Sequence, residues 1–201
     1  MSRYEIHLTV SADADDERLR SLAVDRGVKY TRIQLDRGTH ASQPMLSWLS
    51  DGTPASAESD ARRAASALHA AGLPVTRLKV EAAASGSEAP VTAAQAAAQP
   101  DLYFEHHVKL LLPATADLDR VREVAVQHGA RLSRNARRVR ADGGQERFVT
   151  QRCHRVGRSA AAAALAALVG ALSGSGWEVA EVEKEWVLVD DNPALDAGWF
   201  G

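Results

Sequence analysis

Apolar and polar residues alternate from residue 4 to residue 10: Tyr4, Ile6, Leu8 and Val10 share one side, Glu5, His7 and Thr9 the other. A period of two predicts a strand with one buried face. Residues 13–26 follow with acidic start signals and Leu19, Leu22 and Ala23 at helical spacing, and Gly27 suits the helix end. Two strands are predicted over residues 28–35 and 43–49, joined by a loop that holds Gly38. An alanine-rich helix over residues 55–71 stops at Gly72 and Pro74, and a strand over residues 75–81 closes the series.

The same order returns after residue 102. Strands are predicted at 103–112, 130–139, 146–153 and 177–189, with helices at 115–128 and 158–173 and a turn at Asp142-Gly143-Gly144. Each series reads β-α-β-β-α-β, the order of a ferredoxin-like fold with both helices on one face of a four-stranded sheet. Residue matches support an internal duplication. Glu5-x-His7-Leu8-x-Val10 parallels Glu105-x-His107-Val108-x-Leu110, and Gly27-x-x-x-Thr31-Arg32 parallels Gly129-x-x-x-Ser133-Arg134. Val75-x-x-Leu78 likewise parallels Val179-x-x-Val182. The expected fold class is α+β, a tandem pair of ferredoxin-like halves with antiparallel sheets, spanning residues 1–81 and 102–189. Residues 82–101, rich in Ala, Pro and Ser with no bulky apolar residue but Val91, read as a linker with one helical turn. Residues 190–201 form a tail ending in Trp199 and Phe200. It is expected to dock on its own molecule across the junction of the halves, a homodimer contact being the alternative.

Charge and composition narrow the classes. The 201 residues carry 24 basic and 26 acidic side chains, a net charge of −2. That balance excludes a globally basic nucleic-acid coat and gives no reason to expect membrane-surface binding. The most apolar run, residues 159–172, is shorter than the ~20 residues of a spanning helix. Its Leu165, Leu168, Val169 and Leu172 lie at helical spacing, so a buried core helix is expected. A single cysteine, Cys153, excludes an intramolecular disulfide and a multi-cysteine zinc site. No basic and apolar leader opens the chain, so a cytoplasmic protein is expected. A phosphate-binding P-loop, a glycine-rich dinucleotide turn, a nucleophile elbow and a zincin motif are all absent.

The apolar alternates must pack the helices, so Glu5, His7 and Thr9, with their counterparts Glu105, His107 and Lys109, point from the open face of each sheet. His106 lies on the opposite register and is expected to be a hydrogen-bonded core residue. Arg131, Ser133, Asn135 and Arg137 share the open side of the next strand, where the first half places Ile33 and Leu35. Apolar residues on both faces imply that the open face is covered. The simplest cover is the other half's sheet, giving a pseudo-two-fold cleft lined by both Glu-x-His pairs; sheets joined edge to edge would instead separate the histidines. Nine arginines lie between residues 131 and 158, against only Asp142 and Glu146. This is an anion-binding stretch, unless Glu178, Glu181, Glu183 and Glu185 of the last strand neutralise it. Few aromatics interleave with these arginines, so nucleic acid is not expected.

His7-Leu8-Thr9-Val10 resembles the His-hydrophobic-Thr/Ser-hydrophobic motif of the two-histidine phosphoesterase superfamily. The resemblance implies two lobes, a general acid and base facing each other, and hydroxyls that position a 2′,3′-cyclic or 2′–5′ phosphodiester. In the second motif, His107-Val108-Lys109, a lysine stands where that family has Thr or Ser, and it can hold phosphate as a point charge. On this reading His7 and His107 are acid and base and Glu5 and Glu105 orient them, while Thr9, Lys109, Arg131, Ser133 and Arg137 hold the anion. The first strands are also similar to those of the vicinal oxygen chelate family, which pairs duplicated modules running β-α-β-β-β. That second resemblance implies a divalent metal on His7, His107, Glu81 and Glu185. The third reading is a non-enzymatic binding or assembly module. The expected partner is a small phosphorylated or carboxylated molecule, with no cofactor unless the metal reading holds. Whether the cleft catalyses or only binds stays open.

Overall fold

The computed structural model describes residues 2–138 and 140–200. The first alternating stretch forms β1 (Ser2–Val10). Asp15 caps α1 (Asp16–Arg26) by accepting from the Arg18 amide at 2.7 Å, and Gly27 ends it with φ +63°, a conformation that favours glycine. β2 (Lys29–Leu35) and β3 (Ser42–Gly52) pair as a hairpin. Thr53 opens α2 (Pro54–Ala70) with a capping box on Ser56, and β4 (Val75–Ala83) completes the half. A five-residue helix, α3 (Ala93–Ala97), interrupts the connecting segment. The second half runs β5 (Tyr103–Leu112), α4 (Leu118–Gln127), β6 (Ala130–Asn135), β7 (Gln145–His154), α5 (Arg158–Gly174) and β8 (Glu178–Asp190). The expected α+β class and both β-α-β-β-α-β series are therefore present. Residues 1, 139 and 201, which end expected segments, lie outside the described residues.

Within each half the strand order is the ferredoxin-like one, β4-β1-β3-β2 and β8-β5-β7-β6, with every pairing antiparallel. The halves then join along both free edges. β2 pairs β6 over Ile33↔Asn135, Gln34↔Arg134 and Leu35↔Ser133, and β4 pairs β8 from Lys79↔Asp190 to Ala83↔Glu185. The result is a closed eight-stranded barrel, β1-β3-β2-β6-β7-β5-β8-β4, which leaves no strand edge unpaired. This corrects the expectation of two stacked sheets enclosing a cleft. Edge joining does not separate the histidines, because closure curves both open faces around one interior.

The helices lie outside. Tyr4, Ile6, Leu8 and Val10 pack with Leu19 and Leu68 in one core, and Val108 and Leu110 pack with Val121, Leu165, Leu168 and Leu172 in the other. Burial contributes roughly 1.5–3 kcal/mol per large apolar side chain. These faces thereby fix the register of β1 and β5, and with it the residues that turn inward. A third cluster at the junction packs Phe104 against Trp186, ring centroids 4.7 Å apart and planes tilted by 56°, beside Ala89 and Ala161.

The segment between the halves, expected as a linker with one helical turn, contains α3 and is docked. Ala89 and Ala96 are buried, the Pro90 carbonyl accepts from the Arg158 amide at 3.0 Å, and a Cβ on Gly157 would lie 2.5 Å from the Val91 carbonyl oxygen. Small side chains bury here by letting backbones approach, not by filling a pocket. The tail docks on its own molecule, as expected. A 3-10 helix (Pro193–Asp196) leads to Trp199, which is buried and donates from Nε1 to the Leu132 carbonyl at 3.0 Å. Among the described residues no helix is long and apolar enough to cross a membrane.

Candidate functional site

Alternation along the strands brings polar side chains into the barrel: Glu5, His7 and Thr9 from β1, and Arg77, Lys79 and Glu81 from β4. β5 adds Glu105 and His107, β8 adds Glu183 and Glu185, and β7 adds Phe148, Thr150 and Arg152. They surround a cavity of about 190 Å³, walled on its apolar side by Ile33, Leu35, Met45 and Phe148. Asp196 and Trp199 of the tail close one end. Lining residues that are exposed, Lys29, Arg134, Arg138 and Glu183, mark where the cavity meets solvent.

The two histidines sit in matching frames. His7 lies opposite Ser47 in the ladder and His107 opposite Thr150, and Nδ1 of each ring contacts that hydroxyl, at 2.8 and 3.0 Å. Glu5 faces Glu81 across the β1–β4 ladder, as Glu105 faces Glu185 across β5–β8. The Nε2 contacts differ. His7 Nε2 donates to Glu81 Oε2 at 2.7 Å and lies 3.8 Å from Glu5 Oε1. His107 Nε2 lies 3.3 Å from Glu105 and 3.6 Å from Glu185. The cations break the symmetry: Lys79 bridges Glu81 and Glu105, and Arg152 Nε donates to Glu105 at 2.6 Å.

Electrostatics follow from this wiring. Burial works against ionisation of Glu81, but Lys79 and then His7 outweigh it and hold the carboxyl at about 2. Burial likewise opposes the charge on Glu105, and Lys79 with Arg152 hold its pKa well below the usual range. Glu185 has no lysine or arginine in ion-pair contact: burial, reinforced by the charge of Glu81, outweighs the more distant Lys79 and pushes its carboxyl up to about 10. Burial disfavours the His107 imidazolium, yet the hydrogen bond and charge of Glu105 raise its pKa above the ordinary value.

A second ionic cluster closes the tail end. Arg77 donates to Asp190 at 2.8 and 2.6 Å and to Asp196 at 2.8 Å, Arg152 reaches Asp196 at 2.6 Å, and Tyr103 donates to Asp190 at 2.7 Å. Gln43 completes it with a 2.9 Å bond to Asp196. Burial opposes the charge on both aspartates, and the arginines outweigh it and lower both pKa values.

Of the residues singled out from the sequence, His7, His107, Glu5, Glu105, Thr9 and Ser133 all line the cavity. Three do not. Lys109 pairs with Glu146 at 3.7 Å, Arg137 pairs with Asp16 at 3.0 Å, and Arg131 donates to the Trp199 carbonyl at 2.5 Å. The chelate-type set splits: Glu81 binds His7 and Glu185 neighbours His107. Among the described residues the group whose donor atoms gather within 4.8 Å of one another is Glu5, His7 and Glu185. His106 is a core residue as expected, its Nδ1–H donating to Gln151 at 3.0 Å. The arginine-rich stretch disperses, pairing with Asp16, Glu105, Asp142, Glu146 and Asp196 and with none of the β8 glutamates. Sequence reasoning missed Arg77, Lys79 and Arg152. The signal for the first two was present, since they alternate with the apolar Leu78 and Val80 as Glu5 and His7 do with Ile6 and Leu8.

No protein-family model matches the chain. No curated protein matches it either. Among solved structures, the small subunit of acetolactate synthase from Thermotoga maritima is 12% identical, with a TM-score of 0.31 over 94% of this chain and 96% of that one. The ligand-free regulatory subunit of aspartate kinase from Thermus thermophilus is 15% identical, TM-score 0.31, covering 85% and 93%. A chlorite dismutase from Candidatus Nitrospira defluvii, in complex with imidazole, is 13% identical, TM-score 0.29, covering 93% and 91%. Likeness at this level transfers no activity or ligand to this chain.

Proposed function

We propose that the barrel interior binds a small phosphorylated or carboxylated molecule. The observation that carries this reading is the cavity itself, whose solvent side bears Lys29 and Arg134. Neither has an acidic group within ion-pair distance among the described residues, whereas the deeper Arg77, Lys79 and Arg152 are all paired. An anionic head group meets two unneutralised cations at the mouth, and Ile33, Met45 and Phe148 offer an apolar wall to the organic body.

Binding has better support than phosphodiester hydrolysis. A general acid or base must reach the transferred proton, within about 2.6–3.2 Å or through one water. Both ring nitrogens of His7 are engaged by Ser47 and Glu81, and those of His107 by Thr150 and Glu105. A substrate phosphate would have to displace one of these contacts before either ring could act on it.

The test is thermal denaturation with nucleoside monophosphates, sugar phosphates and small dicarboxylates. A ligand at ~100-fold over its Kd adds about 2.7 kcal/mol, which raises Tm by roughly 5–10 °C for a chain of this length. Replacing Lys29 and Arg134 together by alanine is expected to weaken the responding ligand at least ~10-fold. No response across the panel, or equal binding by the double variant, overturns the reading.

A further inference from the structure

We propose that Glu5, His7 and Glu185 form a divalent-cation site in the barrel interior, assembled only when the two halves close. Glu5 and His7 come from β1 and Glu185 from β8, with β4 between those strands in the barrel. One donor atom from each lies within 4.8 Å of the others. An ion with ligand bonds of about 2.0–2.2 Å needs its donors at roughly 3–3.5 Å, a closure that side-chain rotation supplies.

Charge is the second observation. Four glutamates converge here, and the fixed cations are spent unevenly. Lys79 pairs with Glu81 and Glu105, and Arg152 with Glu105. Glu5 and Glu185 have no lysine or arginine within ion-pair distance among the described residues, and the ion-pair contact of each is to a histidine. Ionised together on a bound ion, these two carboxyl groups match the charge of one divalent cation. Glu81 adds an under-satisfied oxygen: its side chain is 1% exposed, and its Oε1 makes no hydrogen bond, held only by the ion pair with Lys79.

The frame around His7 suits ligation. Its Nδ1 is tied to the Ser47 hydroxyl at 2.8 Å, which can accept from Nδ1–H; with the proton on Nδ1, an ion on the Nε2 lone pair takes the place of the 2.7 Å hydrogen bond to Glu81. Nε2 is the nitrogen that faces Glu5. One imidazole with two carboxylates favours zinc, manganese, iron(II) or cobalt over soft ions, and three protein donors leave coordination positions open. His107 is not a ligand in this scheme, since it lies outside the group whose donor atoms gather within 4.8 Å of one another. The inference does not rest on the small-molecule reading, because it involves neither Lys29 nor Arg134.

The test uses the untagged full chain, stripped with chelator and titrated with Co²⁺ followed by its visible absorption, with Zn²⁺ uptake measured by elemental analysis. One equivalent per chain is expected. Glu5→Gln, His7→Gln and Glu185→Gln should each weaken binding at least ~10-fold. His107→Gln and the Lys29/Arg134 double variant should change it less than about threefold. Glu5 is partly exposed, so Glu5→Gln carries the test if a more buried variant fails to fold. No stoichiometric uptake, uptake unchanged in the three ligand variants, or equal loss in His107→Gln overturns the site.

Discussion

At the tail end of the barrel, Arg77 and Arg152 meet Asp190, Asp196 and Glu105, and Tyr103 and Gln43 fill the remaining hydrogen-bonding positions. A few strand positions away, Glu5 and Glu185 lie among buried carboxylates with only imidazoles in ion-pair contact. Both clusters share one interior, the first more deeply buried than the second. Taking a charge out of water costs several kcal/mol, and only well-placed partners offset it. The balanced cluster therefore reads as structure that holds the tail in place. The unbalanced one retains a cost that a bound cation would remove. Inside a protein, then, charge density alone does not mark a functional site; charge left unmatched after every neighbour is counted does.

The sharpest way to break that contrast is at Arg77. Arg77→Ala leaves Asp190 and much of Asp196 buried without their main cation, and it is expected to cost about 3–5 kcal/mol in urea unfolding. The same aspartates set an acid limit. Their folded pKa values are lowered, so their stabilisation is complete above the unfolded value near 4 and is lost as the pH falls through the folded values. Wild-type protein should therefore lose stability steeply below about pH 4, and Arg77→Ala should flatten that slope. A cost below about 1 kcal/mol would remove the structural reading. Trp199→Ala comes next, at about 3 kcal/mol, because it empties a buried site and deletes the bond to the Leu132 carbonyl. Its fall in Tm is the measurement, and an unchanged Tm would mean the tail does not seal the barrel.

Much of this architecture was legible in the residue pattern. The alternation of Tyr4, Ile6, Leu8 and Val10 placed Glu5 and His7 together, and the parallel run from Phe104 to Leu110 placed Glu105 and His107. Ile33 and Leu35, apolar on an open face, signalled that the face was covered. Barrel closure was not legible, because the β2–β6 seam rests on three residue pairs and the β4–β8 seam joins segments about a hundred residues apart. Nothing local in either edge names its partner. Arg137 was misplaced for a local reason: β6 stops at Asn135, so the alternation does not carry past it to Arg137. Asp190 and Asp196 gave no periodic signal, since they act where the last strand ends and the chain turns back.

The smallest expected effect sharpens the comparison most. In chelator-treated protein, Asp190→Asn and Glu185→Gln each replace a buried carboxylate by its neutral isostere. At Asp190 the substitution strips a partner from Arg77, and Tm should fall by roughly 5–10 °C. At Glu185 it replaces a carboxyl that burial keeps protonated in the folded state, so Tm at pH 7 should stay level or rise. The pH dependence carries the sign. Glu185 has a folded pKa of about 10, above its unfolded value, so its contribution is full below about pH 4.3 and declines as the pH rises toward 10. The Gln variant should shed that decline, and its Tm advantage over wild type should grow between pH 6 and pH 9. If Glu185→Gln instead lowers Tm as Asp190→Asn does, Glu185 has a compensating partner and the two clusters are equivalent.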